Sequence, residues 1–232
     1  MNSSTASAEP AAFPAQATTF LLPGPAGAIE VAVDVPAPAD AVMGTAVVCH
    51  PHPLHGGTMD NKVVTITERA LRELGLRTVR FNFRGIGASA GVHDDGNGEM
   101  EDLIALCAWI ARVRPGDALW LAGFSFGSWV AARAARHLPK LDQLVLIAPP
   151  VAKYPYAALP PPNAPWLVVQ GEDDDVAPPQ PVVEWVRSQK DPPQLVLMPD
   201  AGHFFHRKLM DLRGAIKNAV RPNLPPSEHA GA

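Results

Sequence analysis

Hydrophobic positions along this chain fall into two recurring patterns. Four short runs, Gly44–Cys49, Ala118–Ala122, Gln143–Ala148 and Trp166–Gln170, are apolar at nearly every position, so neither face is left for water and each predicts a strand buried on both sides. Between such runs lie longer stretches with apolar residues at helical spacing. In Asn61–Leu74 they stand at Val63, Val64, Ile66, Ala70, Leu71 and Leu74, with Asp60 or Asn61 as a cap and Gly75 as the stop. Further helices are predicted over Glu99–Val113, Phe126–His137, Pro181–Gln189 and Lys208–Val220, and further strands over Arg77–Phe83 and Gln194–Met198. Thr19–Leu22 and Ile29–Val35 come first; the second alternates with period two and predicts a hairpin with the first. Doubly apolar strands alternating with helices imply an α/β fold, a mostly parallel twisted sheet covered on both faces, with its ligand site beyond the carboxyl ends of the strands.

Composition narrows the class without changing the fold. The chain has 232 residues, 47% of them hydrophobic and 18% charged, which suits one domain with a full core. A net charge of −4 without a long Lys/Arg run argues against nucleic-acid and anionic-membrane partners and for a small-molecule substrate. Cys49 and Cys107 sit in apolar settings and read as core packing. Met1 to about Thr18 has neither the basic start nor the apolar stretch of a secretory signal. Residues 1–18 and 224–232 are expected to be disordered tails around a single domain at 19–223, and the protein is expected to be cytoplasmic.

Chemistry concentrates at strand ends. Gly123-Phe124-Ser125-Phe126-Gly127 follows one apolar run and opens a helix, the G-x-S-x-G arrangement that strains a serine so that its hydroxyl stands clear, with glycines where strand and helix approach. A serine hydroxyl needs a general base and a group that orients that base. After Trp166–Gln170 comes Gly171-Glu172-Asp173-Asp174-Asp175, and after Gln194–Met198 comes Pro199-Asp200-Ala201-Gly202-His203. The residues alone leave three adjacent aspartates open as the acid, and His206 as a rival base.

With these motifs the chain resembles the α/β-hydrolase superfamily, specifically small lidless bacterial serine hydrolases related to dienelactone hydrolase and to the catalytic domains of acyl peptidases. The likeness spans about Thr19 to Asn223. It implies a Gly-x-x-Asp loop with the acid at Asp174, Asp175 being the alternative, and a Gly-His turn with the base at His203. It also implies an oxyanion hole made by the backbone N–H of Phe126 and one from the loop His50-Pro51-His52-Pro53-Leu54-His55-Gly56-Gly57. Proline has no N–H, and aligning His50-Pro51 with the family's His-Gly puts that donor at His52.

Three histidines in this loop raise the question of a metal, but two prolines dictate the loop's shape; no metal is expected, and His50 and His55 read as braces. No cofactor is expected either, since Gly85-x-Gly87 lacks the rest of a dinucleotide loop. Arg80, Asn82 and Arg84 before Gly85 read as scaffold. Candidate substrate contacts are Leu54, Arg84, Tyr154 and Tyr156. The segment Val151–Pro165 is too short and too rich in proline for a cap domain. The expectation is a serine esterase acting on esters or thioesters of small acyl groups through an acyl-enzyme. A peptidase or acyltransferase on the same residues, or a non-catalytic binding scaffold, are the alternatives.

Overall fold

Every residue of Gly44–Cys49 is buried, and alternate residues go to opposite sides: Val47 and Cys49 join one apolar core, Ala46 and Val48 the other. Such a strand must lie inside a sheet covered on both faces. The computed structural model describes residues 9–229. Its strands are β1 (Thr18–Gly24), β2 (Gly27–Asp34), β3 (Gly44–Cys49), β4 (Arg77–Phe81), β5 (Ala118–Phe124), β6 (Gln143–Ile147), β7 (Trp166–Gly171) and β8 (Gln194–Met198). Its α-helices are α1 (Lys62–Arg72), α2 (Asn97–Val113), α3 (Phe126–Ala134), α4 (Pro179–Ser188) and α5 (Leu209–Val220). The strands form one sheet in the order β1-β2-β4-β3-β5-β6-β7-β8. β1 and β2 form the expected hairpin, β2 is also antiparallel to β4, and all pairs from β4 to β8 are parallel. One core includes Trp109, Phe126, Val130 and Trp185 from α2, α3 and α4; the other includes Leu71, Leu212 and Ile216 from α1 and α5.

Strand order decides where a site can form. From β3 the chain runs outward to β4, then returns to place β5 on the other side of β3, with Cys49 opposite Gly123. At that reversal the loops after β3 and β5 leave in different directions and open a crevice. The loop carrying His52 and the bend carrying Ser125 therefore start from adjacent strand ends.

Most predicted boundaries hold to within two residues. β5 runs on to Phe124 because Gly123 and Phe124 still pair with Leu146 and Ile147. α3 stops at Ala134 rather than His137, because the N–H groups of Arg136 and His137 bond back to Arg133 and Ala134 and tighten the last turn. The loose tails expected at 1–18 and 224–232 are corrected over 9–18 and 224–229, residues 1–8 and 230–232 lying outside the described residues. Among the described residues both ends are docked. Trp109 Nε1 donates to the Pro10 carbonyl at 3.0 Å, Phe13 stacks on the same indole at 5.7 Å, and Glu9 pairs with Arg112. At the other end Glu228 takes both guanidinium nitrogens of Arg77, at 2.7 and 2.9 Å, and Pro226 accepts from Met43 N–H. The cause is a large indole on α2 that the sheet leaves partly uncovered, and a carboxylate that the Arg77 hydrogen bonds, with Arg114 nearby, hold below its usual range.

His50, at the end of β3, is wholly buried. Its Nε2 accepts from Phe83 N–H at 2.9 Å, which leaves Nδ1 to donate to the Pro51 carbonyl at 2.6 Å. The neutral ring thus ties the loop after β3 to the chain leaving β4, as a brace should. Burial pushes its pKa down from 6.5 to about 4.

Two outcomes are expected from this packing. Deleting residues 1–14 should lower stability by roughly 1–3 kcal/mol, the worth of one large apolar contact and a hydrogen bond. Urea denaturation should register the loss, together with a red-shifted tryptophan emission. For His50, the unfolded chain takes up a proton near pH 6.5 that the folded chain refuses until about pH 4. Stability is then fully present above pH 6.5 and falls by about 3 kcal/mol as pH drops to 4. The measurement is the slope of unfolding free energy over that window, which His50→Asn should flatten relative to the parent protein.

Candidate active site

Ser125 separates β5 from α3 with φ 53° and ψ −120°, a backbone state of high cost for any residue with a Cβ, on the order of 1–3 kcal/mol. It is the only residue from Trp120 to Ala132 that is not buried. The bend is clamped from three sides. Ser125 N–H donates to the Ile147 carbonyl at 2.9 Å, and the Ser125 carbonyl accepts from Ser128 N–H at 2.9 Å and Ser128 Oγ at 2.5 Å. Because Ser128 Oγ gives its proton to that carbonyl, the Tyr156 hydroxyl must donate to Ser128 Oγ, at 2.8 Å. The glycines are needed here: a Cβ on Gly123 would stand 2.2 Å from the Gly127 carbonyl oxygen, and one on Gly127 would stand 2.4 Å from that of His50.

Ser125 Oγ lies 3.0 Å from His203 Nε2, and His203 Nδ1 lies 2.8 Å from Asp174 Oδ2. Of the three adjacent aspartates Asp174 alone is buried. Its other oxygen accepts from the N–H groups of Val176 and Ala177 at 2.9 and 2.7 Å, and Gln170 Nε2 donates to Oδ2 at 3.1 Å. A carboxylate so saturated with donors stays an acceptor, which puts the His203 proton on Nδ1 and leaves Nε2 bare toward the serine. Asp173, Asp175 and His206 are exposed. The acid and base turns are themselves packed together, since a Cβ on Gly171 would stand 2.2 Å from the Ala201 carbonyl oxygen.

Two backbone N–H groups flank the bend in sequence or space without a backbone acceptor among the described residues. Phe126 N–H is the first of α3 and has no acceptor within the helix. His52 N–H has no backbone acceptor among the described residues, while the His52 carbonyl is held by the N–H groups of His55 and Gly57 at 3.1 and 3.0 Å. The rings of His52 and Phe126 are 4.9 Å apart. His52 Nδ1 accepts from Leu54 N–H at 3.3 Å. Burial first, then His55, His93 and Lys153, holds this imidazole down to about 4, so it is neutral at pH 7.

Two of the four candidate substrate contacts are engaged elsewhere. Arg84 makes a bidentate pair with buried Asp102 on α2, at 2.8 and 2.9 Å, and serves as scaffold. Tyr156 is 1% exposed and braces the bend from behind. Tyr154 is half-buried at the mouth, stacked on Trp129 at 5.4 Å, and Leu54 is 69% exposed on the loop after β3. Sequence reasoning missed Ser128 and Gln170, whose partners are visible only in three dimensions, although each lies within four residues of the serine or aspartate it supports. Two hollows, of about 490 and 500 Å³, lie by Trp166 and Asn223 and between α2 and residues 137–140. Neither is lined by Ser125. Cys49 and Cys107 are buried free thiols, the latter pushed up to about 12 by burial. No helix among the described residues is long and apolar enough to cross a membrane.

Residues 45–164 match the family described as serine aminopeptidase, S33. An uncharacterized protein of Rickettsia prowazekii is 33% identical over 182 residues, covering 75% of this chain and 76% of its own. A Xanthomonas campestris protein described as an α/β serine hydrolase without lid superposes with a TM-score of 0.89 at 50% identity, over 93% of this chain and 99% of that one. An α/β serine hydrolase homologue from Coxiella burnetii gives 0.86 at 45% identity, over 89% and 99%. With the elbow serine, the parallel sheet and these relatives together, the chain belongs to the S33 serine aminopeptidase family and has the fold of α/β serine hydrolases without a lid.

Proposed function

We propose that this serine hydrolase cleaves esters or thioesters of small acyl groups through an acyl-enzyme formed on Ser125. The observation that carries the reading is the unbroken relay from Asp174 through His203 to Ser125 Oγ, at 2.8 and 3.0 Å. In the first half-reaction Ser125 Oγ attacks the carbonyl carbon while His203 Nε2 takes its proton. The carbonyl oxygen, now an anion, is received by the N–H groups of Phe126 and His52. Collapse of the tetrahedral intermediate expels the alcohol or thiol, which takes the proton back from His203. Water then repeats the sequence, with His203 as base, and frees the acid. Asp174 stabilises the imidazolium and keeps its proton on Nδ1. No step calls for a metal or an organic cofactor. Two buried free thiols suit a reducing, cytoplasmic setting.

Small acyl groups follow from the mouth. Burying a long chain is worth about 0.8 kcal/mol per CH₂, and the segment that would have to cover it, Val151–Pro165, holds one 3₁₀ turn, Tyr156–Ala158, with Tyr156 turned inward. The family's description favours one second reading, an aminopeptidase, in which the same relay cleaves an amide.

A fluorophosphonate probe should label the protein at Ser125 and fail on Ser125→Ala. Ser125→Ala and His203→Ala should each lower kcat by roughly 10³-fold or more, with the double variant hardly worse than either, because the members of such a relay act as one unit. Asp174→Asn should cost roughly 10³–10⁴-fold through the wrong tautomer, whereas Asp173→Asn and Asp175→Asn should be mild. Labelling at another residue, or near-native turnover by Ser125→Ala, would refute the assignment.

Substrate class is read from kcat/KM on p-nitrophenyl esters from C2 to C16, beside thioesters and aminoacyl anilides. The expected optimum is at or below about C6, given the shallow mouth. A steady rise to C12 would contradict it, and faster anilide cleavage would favour the aminopeptidase.

A further inference from the structure

Gln170 is the one polar residue in the run Trp166-Leu167-Val168-Val169-Gln170 of β7, and it is 0% exposed. β7 has a strand on each side, with Val169 opposite Ile147 on β6 and Gln170 opposite Leu197 on β8, so the position is rigid. A buried amide has to find its partners inside the protein. Three acceptors stand within reach of its Nε2: the Ala177 carbonyl at 2.9 Å, the Gly171 carbonyl at 3.1 Å and Asp174 Oδ2 at 3.1 Å. Its Oε1 is buried and has no hydrogen-bond partner among the described residues. Turning the amide over would set Oε1 against all three acceptors, so the network fixes which end faces Asp174. An unpaired buried acceptor is costly, and the side chain is nevertheless seated for its donor end alone.

The two oxygens of Asp174 are served differently. Oδ1 accepts from the backbone N–H groups of Val176 and Ala177, whereas Oδ2 accepts from two side chains, His203 at 2.8 Å and Gln170 at 3.1 Å. Because Gln170 also holds the Ala177 carbonyl, one amide ties both the carboxylate and the far end of its turn to β7. The amide N–H is the positive end of a dipole, and at Oδ2 it draws negative charge away from the bond to the imidazole. Asp174 is the one charged side chain bonded to His203 among the described residues; the ring otherwise packs against Phe124 and Phe204, at 5.0 and 5.1 Å. The other charged or titratable groups of these loops turn outward. Glu172, Asp173, Asp175, His206 and Arg207 are exposed, and exposed Asp200 lies 3.6 Å from Lys208.

We propose that Gln170 is a positioning residue for the relay: by sharing Oδ2 with His203 it sets the direction of the Asp174 carboxylate and how strongly that carboxylate favours the protonated ring. It touches neither the substrate nor the reacting atoms. Without its N–H, more negative charge stays on Oδ2, the imidazolium is better stabilised, and the base remains protonated to higher pH. The inference rests on the proposed relay of Asp174, His203 and Ser125.

Three measurements test it. In the unmodified protein, the Gln170 side-chain amide signal in a heteronuclear NMR titration should move with the same midpoint as the His203 ring, since protonating the ring redistributes charge on the oxygen they share. In Gln170→Met the acid limb of kcat/KM, which reports the base of the free enzyme, should move up by about half a pH unit or more. Its kcat should fall roughly tenfold to a hundredfold through the looser carboxylate, with KM changed less than about twofold. Added to Asp174→Asn, Gln170→Met should cost less than about a further twofold, because its effect runs through that carboxylate. A Gln170 signal that stays flat while His203 titrates, an acid limb that does not rise while kcat falls, or full additivity with Asp174→Asn would overturn the role. The NMR titration needs no turnover and no variant, so it keeps the two readings apart. A Gln170 signal that tracks His203, in a protein whose Ser125→Ala variant keeps its activity, would support the positioning while refuting the nucleophile. A flat signal, in a protein that Ser125→Ala inactivates, would refute the positioning alone.

Discussion

The close approach of α3 to the ends of β3 and β5 is the constraint on which the remaining structure depends. Gly123 and Gly127 leave no room for a Cβ, so the helix begins almost against the carbonyls of Cys49 and His50. That closeness forces the sharp bend, and the bend leaves Ser125 with a positive φ while lifting it out of an otherwise buried run. The strain is offset locally. Ile147 takes the serine's N–H, Ser128 covers its carbonyl, and Tyr156, reached from the following loop, supports Ser128. Relaxing any of these would let the bend open and the hydroxyl sink, which is why so much buried polar bonding gathers at one residue.

Fixed donors, more than mobile charges, organise the electrostatics around that bend. Asp174 receives bonds from two backbone N–H groups, Gln170 and His203. His50 is kept neutral by burial and joins the loop after β3 to the chain leaving β4 through one accepted and one donated bond. Glu99 does for His93 what Asp174 does for His203: a buried carboxylate fixes the ring through Nδ1. The two pairs lie on opposite sides of the bend, one through Phe124 beneath His203 and the other through Phe126 beneath His93. In each pair the low exposure of the carboxylate makes the ring's orientation costly to change.

Much of this was legible in the sequence, for identifiable reasons. A strand covered on both faces has no polar alternation to confuse it, so Gly44–Cys49 and Trp166–Gln170 were plain, and Asn61 and Gly75 marked their helix. The elbow carries its own local signature. What stayed hidden depends on partners distant in sequence. Nothing near Arg84 points to Asp102, eighteen positions on, and nothing near Pro10 points to Trp109. Tyr154 and Tyr156 are equivalent in an irregular, proline-rich segment; only the fold turns one to the mouth and the other to Ser128. On the residues alone the three consecutive aspartates are likewise equivalent; the turn at Val176 and Ala177 buries Asp174, the one the resemblance implies.

The central claim is that the bend presents Ser125 Oγ to His203 while Phe126 and His52 aim their N–H groups at the anion that forms. The most direct measurement is a crystal structure of the phosphonylated protein, whose phosphoryl oxygen stands where the substrate's oxyanion would be. The account predicts a bond from Ser125 Oγ to phosphorus and that oxygen at about 2.7–3.1 Å from both backbone nitrogens, with the other contacts of the bend unchanged. An adduct whose oxygen points to solvent, or meets other donors while those two remain unused, would contradict it.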